Sequence, residues 1–466
     1  MEVAGITLPL QRQQAKALTC PANELLYGGA AGGGKSHLMR VAAINYCCAI
    51  PKLQAFLFRR SYGELKLNHM EGPTSFPELL APLVAQKKVS IVDNEIRFWT
   101  GSKIHMSHLQ YYKTLQKYQG AEIHLLLMDE LTHFFEAEYR YLRGRVRIGG
   151  LQVPEAFKGE IPRIISGTNP GSAGHGWVKR SFVKPGAMRV WKTPRTEGSM
   201  RRVFIPAKLE DNPALLENDP DYIDRLEALG DPLLVRAMKE GDWDIVAGAM
   251  FGDAWRPDRH VCKSFAIPEG WKIWTGADDG YAAPAAWYWF TENPDTGTIY
   301  VIAEIYRKRM LAPEYASRVL ELQDNIPIAT PQGIEPWGAR GREPISGLMD
   351  SGAFADTGQA EIPRGNQMQK LGLKIKPVEK WPGSRVHRVQ NFHKLLANNP
   401  RDPERRPCIR FFENCRAAIE TIPTLPRDEN NIEDVDTDAE DHAWDGVSYG
   451  LQWKDKRMKR KRLKGV

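Results

Sequence analysis

Short, near-continuous apolar runs punctuate the first 205 residues, each followed by a stretch with helical spacing. The runs at Leu25–Tyr27, Ala55–Phe58, Ile123–Met128 and Arg163–Ser166 read as strands. They show no alternation of apolar and polar positions, as expected of strands covered on both faces. The pattern therefore predicts a parallel α/β sheet. Residues 91–105, IVDNEIRFWTGSKIH, read as a hairpin set among these units. A charged, Pro- and Asp-punctuated stretch then runs from Ile205 to Pro232. It has helical spacing over Tyr222–Leu229 and no strand pattern, which marks a connecting segment. GDWDIVAGAMFGDAW, residues 241–255, leads out of it.

From Trp271 the pattern changes to three strands in a row, WKIWTGA, AAWYWF and TIYVIAEIY, the last two separated by the turn NPDTG. A helix over Pro313–Gln323, strands at Gly347–Met349 and Leu373–Pro377, and helices at Arg385–Asn398 and Ala443–Gln452 follow. Three antiparallel strands and then alternating helix and strand predict a mixed sheet of the ribonuclease H type. The expected division is residues 1–205, a connecting segment at 206–255, a second domain at 256–453 and a tail at 454–466. Two or three domains also suit a chain of 466 residues.

Composition narrows the class. With 42% hydrophobic and 26% charged residues the chain reads as an ordinary globular protein. No run approaches 18 apolar residues, so no membrane span is expected. MEVAGITLPLQRQQ lacks a basic start followed by an apolar core, so no secretory leader is read. Cys20, Cys47, Cys48, Cys262, Cys408 and Cys415 are scattered without C-x-x-C spacing. That argues against zinc and against a disulfide framework, and fits a reducing cytoplasm. The net charge of +7 changes meaning once located: Lys454–Val466 holds eight Lys/Arg and one Asp, the whole excess. The tail is a solvated charge run, a non-specific DNA contact or a protein contact.

Against this background one stretch stands out, LLYGGAAGGGKSHLM, in which Gly29 to Ser36 fits G-x-x-x-x-G-K-[ST]. Gly29, Gly32, Gly33 and Gly34 leave backbone N–H groups free to wrap phosphates, and the following helix adds its N-terminal dipole. Lys35 is placed for the β/γ-phosphates and Ser36 for Mg²⁺. IHLLLMDE then ends an apolar strand in Asp129, which would complete the Mg²⁺ shell, and Glu130, which would polarise the attacking water. In IISGTNPGS, Thr168 and Asn169 either sense the γ-phosphate or form an ordinary Asn-Pro turn. QRQQ, ending at Gln14, either hydrogen-bonds adenine or is a solvated helix start.

The second domain carries Asp278 in GADDGY, Asp350 in LMDSG and Asp445 in DHAWDGVSYGL, with Asp441 one helical turn before Asp445. Carboxylates gathered from such distant places repel unless cations neutralise them. Two Mg²⁺ or Mn²⁺ ions would explain the set and cut a phosphodiester. Asp279 reads as a neighbour, and Asp441 and Asp445 are not ranked.

The order QRQQ, GGAAGGGKS, LFRRSYGEL, LLLMDELTHF, SGTNPG, KLEDNP, GDWDIVAGAMF resembles the large terminase subunit of tailed bacteriophages, from about Leu8 to Trp453. The resemblance implies an N-terminal P-loop ATPase that pumps double-stranded viral DNA into a procapsid. It implies a C-terminal ribonuclease H-like nuclease that cuts concatemers. It also implies a portal protein, a small terminase subunit and a homo-oligomeric ring as partners, in the cytoplasm of an infected bacterium. Lys35 and Ser36 would bind nucleotide, Glu130 would be the base and Thr168/Asn169 the coupling motif. One departure stands. Many members of that family place an arginine before the glycine that precedes the Asp-Glu strand, and here Gln119 precedes Gly120. The trans-acting cation stays open among Lys117, Arg140, Arg143, Arg145 and Arg147, and YRYLRGRVR would equally suit DNA phosphates. A helicase or recombination ATPase with a DNA-binding second domain is the competing reading. A portal-associated structural protein with degenerate sites is a third.

Overall fold

The computed structural model describes residues 1–463 apart from 111, 229–231, 245–248, 342–343, 357–361, 429–430 and 438. It divides into two compact units, Met1–Gly248 and Ala249–Val466. The stretch 206–255 is shared between them. Most of GDWDIVAGAMF is described, but its residues 245–248 are not. Among the described residues no helix is long and apolar enough to cross a membrane.

The first unit is built on a nine-stranded sheet. Its strands are β1 (Glu24–Gly29), β2 (Gln54–Arg59), β3 (Val89–Val92), β4 (Glu95–Phe98), β5 (Lys103–His108), β6 (Leu125–Asp129), β7 (Arg163–Thr168), β8 (Trp191–Lys192) and β9 (Arg201–Ala207). They lie in the order β8-β9-β1-β7-β6-β2-β5-β4-β3. The six from β9 to β5 in that order run parallel. As the apolar runs imply, β1, β6 and β7 are buried throughout. The predicted hairpin forms as β3 and β4, and β4 pairs antiparallel with β5, so it extends the sheet to its edge. Helices α1 (Arg12–Thr19) and α2 (Lys35–Ala49) contribute buried Ala17, Leu18, Leu38, Val41, Ala42 and Ile44 to the core. The consequence for function is the strand order. β7 lies between β1 and β6, so the glycine loop, the Asp-Glu pair and the Thr-Asn pair all leave the same carboxyl edge.

The second unit holds a seven-stranded sheet of β10 (Val261–Cys262), β11 (Ile273–Asp278), β12 (Ala285–Glu292), β13 (Ile299–Arg307), β14 (Ser346–Met349), β15 (Lys374–Pro377) and β16 (Ile409–Phe412). The order is β10-β16-β13-β12-β11-β14-β15. β12 is antiparallel to both β11 and β13, whereas β14 and β15 join β11 in parallel. The five from β13 to β15 therefore follow the ribonuclease H order, as the sequence predicts. The edge strand β10, its neighbour β16 and a separate three-stranded sheet (Ile267–Pro268, Pro327–Thr330, Gly333–Pro336) are not foreseen in the sequence.

What positions the second site is the last helix. Besides an earlier helix α3 (Ser384–Leu396), the unit ends in α4 (His442–Leu463). Gly450 of α4 lies so close to β11 that a Cβ on Gly276 would meet its nitrogen at 2.2 Å. Trp274 Nε1 donates to Gly450 O at 2.8 Å. Glycine at these points lets the helix rest directly on the strand and brings its first turn to the end of β11.

Candidate active sites

The phosphate loop is braced through its carbonyls. Lys35 Nζ donates to Ala30 O at 2.8 Å, Tyr27 Oη to Gly33 O at 3.1 Å, and Gln14 Nε2 to Gly34 O at 2.8 Å. Gln14 is nearly fully buried and its Oε1 accepts from Gln11 N at 2.8 Å. It is thus fixed against the loop. Lys35 also donates to Asn169 Oδ1 at 2.5 Å. Burial pushes the Lys35 ammonium below its ordinary value, while Glu130 and Asp129 hold it up.

Asp129 is fully buried at the end of β6. Ser36 Oγ lies 3.3 Å from both its carboxylate oxygens. Two further groups meet Asp129 Oδ2: Arg59 Nη1 at 2.7 Å and His69 Nε2 at 2.9 Å. Burial alone would raise this carboxylate, but the His69 bond and the cations Arg59 and Lys35 hold it well below the usual range. It is therefore ionised and suited, with Ser36, to a hard divalent cation. Glu130 follows in the left-handed region at φ 57°, ψ 61°. Its Oε2 accepts from Thr168 Oγ1 at 3.3 Å, and Thr168 Oγ1 lies 2.7 Å from Thr132 Oγ1. Lys35, Ser36, Asp129, Glu130, Thr168 and Asn169 thus converge in one place.

Of the open cations, Arg143 is tied to buried Glu24 at 3.3 Å, a carboxylate it shares with Arg202 at 2.8 Å. Arg140 is paired with Glu136, and Arg145 lies 4.8 Å over the Tyr141 ring. Lys117 and Arg147 are exposed.

In the second unit Ala277 pairs with Met349, and Asp350 N donates to Ala277 O at 2.9 Å. Asp278 and Asp350 therefore leave neighbouring strands side by side, at about the 4.8 Å spacing of a sheet. The start of α4 closes over them. His442 Nδ1 lies 3.1 Å from Asp278 Oδ2, and Tyr449 Oη donates to Asp350 Oδ1 at 3.2 Å. Asp445 Oδ1 accepts from Arg388 Nη1 at 2.7 Å; the same nitrogen donates to Ser448 Oγ at 2.6 Å. Arg388 sits 4.7 Å over Trp444 and 4.5 Å over Tyr449. Asp441 faces Arg385 at 3.5 Å. Lys380 pairs with Asp350, and Asp279 pairs outward with Arg364 at 2.8 Å.

Burial, and then Asp445 and Asp350, push the Asp278 carboxyl up to about 6. Burial and Asp445 push Asp441 up as well. Although burial opposes its charge, His442 is held above its ordinary value by Asp278. Mutual repulsion among carboxylates is what a divalent cation relieves, and an all-oxygen donor set is of the kind that suits Mg²⁺ or Mn²⁺. The side chains as they lie are less gathered than the sequence reading expects. Among the described residues no three His, Cys, Asp or Glu form a metal-holding group, because each carboxylate is turned to its own donor.

Residues 26–256 match the family described as terminase large subunit, T4likevirus-type, N-terminal. The chain belongs to the terminase large-subunit family. Similar solved structures include the large terminase of a thermophilic bacteriophage, 14% identical over 95% of this chain and 98% of its own, with a TM-score of 0.40. The P22 large terminase nuclease domain is 17% identical over 45% of this chain and 93% of its own, at 0.34. The nuclease domain of the large terminase from bacteriophage SPP1, with bound Mn, is 14% identical over 42% and 97%, at 0.28. No curated protein sequence matches the chain.

In this terminase large subunit the sequence reading omits Arg59, His69 and Thr132 in the first unit. In the second it omits Lys380, Arg385, Arg388, His442 and Tyr449. LFRR and DHAWDGVSYGL were the signals that contained some of them. None stands at a spacing that assigns a partner.

Proposed function

We propose that this chain is a DNA-packaging motor subunit. Its first unit hydrolyses ATP to drive double-stranded DNA into a procapsid, and its second cuts concatemeric DNA. The observation that carries the reading is the pairing of two constellations in one chain. Lys35 and Ser36 face Asp129 and Glu130 at the edge of a parallel sheet. Asp278 and Asp350 follow neighbouring strands of a ribonuclease H-like sheet, with Asp445 in the first turn of α4.

In the first unit Lys35 binds phosphate charge, Ser36 and Asp129 would hold Mg²⁺, and Glu130 takes the proton of the attacking water. Thr168 orients Glu130, and Asn169, bonded to Lys35, registers loss of the γ-phosphate. In the second unit Asp278, Asp350 and Asp445, with Asp441 beside them, would hold two divalent ions. Such ions supply an activated water and neutralise charge on the phosphodiester. Arg388 holds one oxygen of Asp445, and Tyr449 and Gly352 N hold the two oxygens of Asp350, so both carboxylates are fixed in direction. The DNA, a portal protein, a small terminase subunit and further copies in a ring are the proposed partners, in the cytoplasm of an infected bacterium. The basic tail is proposed to contact DNA or the portal.

The test is a pair of assays on the purified chain. ATP hydrolysis should be measurable and Mg²⁺-dependent, and plasmid cleavage should need Mg²⁺ or Mn²⁺ and stop with EDTA. Processive unwinding without cleavage would overturn the nuclease half and favour a helicase.

A further inference from the structure

A phosphate loop works only while its N–H groups point inward, which requires that its carbonyls be satisfied elsewhere. Ala30, Gly33 and Gly34 give theirs to Lys35, Tyr27 and Gln14, all from the sheet and helices that frame the loop. Gly32 does not. Its carbonyl accepts from Asn212 Nδ2 at 2.6 Å. Asn212 belongs to KLEDNP, a motif to which the ATPase chemistry assigns nothing.

The local chemistry of that motif is legible. Asp211 Oδ2 accepts from Lys208 N at 2.8 Å and closes a short turn over Leu209–Asp211. Pro213 then starts a helix, Pro213–Asn218. Asn212, held between turn and helix, aims its amide at the loop. On either side of it Leu209 and Leu215 seat on Gly32, where a Cβ would lie 2.7 Å from a methyl of each. Two more contacts follow downstream. Ala31 N donates to Met238 O at 2.7 Å. Gly241, at φ +66°, lies so close that its Cβ would meet Gly29 C at 2.6 Å. The segment 208–243 therefore grips the loop at Gly29, Ala31 and Gly32.

We propose that this segment is a brace that holds the phosphate loop in its nucleotide-binding form, with Asn212 as its positioning residue. The inference rests on the ATPase reading of the first unit. It assigns Asn212 no part in hydrolysis itself: the side chain fixes the Gly32 carbonyl and so keeps the neighbouring N–H groups facing the phosphates. By linkage, a brace that favours nucleotide must be tightened by it.

The test uses the full chain and MgADP. Asn212→Ala should weaken MgADP binding about fivefold to tenfold by calorimetry, the scale of one hydrogen bond, and should raise KM for ATP more than it lowers kcat. Asn212→Asp turns a carboxylate on the Gly32 carbonyl and should cost about 100-fold by like-dipole repulsion. Gly241→Ala, which leaves Asn212 untouched, should weaken binding in the same direction. MgADP should slow tryptic cleavage between Lys208 and Lys239 in the wild type, and less so in Asn212→Ala. Variants that melt like the wild type and bind MgADP with wild-type affinity would overturn the brace. A wild-type chain that binds no MgADP would instead overturn the ATPase reading on which it stands.

Discussion

Glu130, the base of the proposed hydrolysis, has an unusual backbone. A glutamate in the left-handed region costs conformational energy, so the surroundings must hold it there. Here the end of β6 fixes one side and Thr132 N, bonded to Thr168 Oγ1 at 3.2 Å, fixes the other. The result is a carboxylate directed at Thr168 rather than along the strand. Asp129, one residue earlier, is by contrast immobilised by Arg59 and His69. The adjacent acids thus differ in setting, as the roles proposed for them require, Asp129 as a fixed cation ligand and Glu130 as the base. Glu130→Gln should keep nucleotide affinity within about twofold while phosphate release falls at least about 100-fold. Equilibrium MgADP binding and a phosphate-release assay measure the two. Wild-type turnover would remove Glu130 from the base's place.

At the scale of elements, the loop after β7 is tied to the end of the first unit by one buried histidine. His175 Nδ1 accepts from Gly171 N at 2.9 Å, so its proton sits on Nε2, which donates to Trp243 O at 3.1 Å. Burial pushes its imidazole down to about 3 from 6.5. The folded value lies below the unfolded one, so the unfolded chain binds more protons between the two. Stability from this group is therefore complete above pH 6.5 and is lost as pH falls towards 3. The loss approaches about 1.4 kcal/mol per pH unit inside the window. Urea melts of wild type and His175→Gln from pH 7 to pH 4 should show a shallower pH slope in the variant. Equal slopes would contradict the assignment.

Elements also show how far sequence alone reaches. β6, β7 and β11 were legible because burial on both faces leaves an uninterrupted apolar run. The end of β1 was not, because Gly28 and Gly29 belong at once to the strand and to the loop motif. β16 follows the charged stretch RDPERRP and is itself interrupted by Arg410, so it shows no apolar run. The acids at strand ends were legible as carboxylates, but their partners were not. Arg59 and His69 reach Asp129 from other elements, and Arg388 reaches Asp445 from α3. Contacts of that kind depend on sheet order and helix approach, which no local spacing encodes.

On the scale of the whole molecule, the two constellations lie in separate compact units, Met1–Gly248 and Ala249–Val466. The residues proposed for each belong to its own unit. The charge excess is confined to 454–466, the end of the second unit. Two activities resting on separate machinery should be separable by single substitutions. The decisive measurement is a paired assay of Lys35→Ala and Asp278→Asn on the full chain, reading ATP hydrolysis and Mn²⁺-dependent plasmid cleavage for each. Lys35→Ala should abolish hydrolysis and leave cleavage within about twofold, while Asp278→Asn should lower cleavage by about 100-fold or more and spare hydrolysis. Loss of both activities in either variant, or cleavage that survives Asp278→Asn, would contradict it.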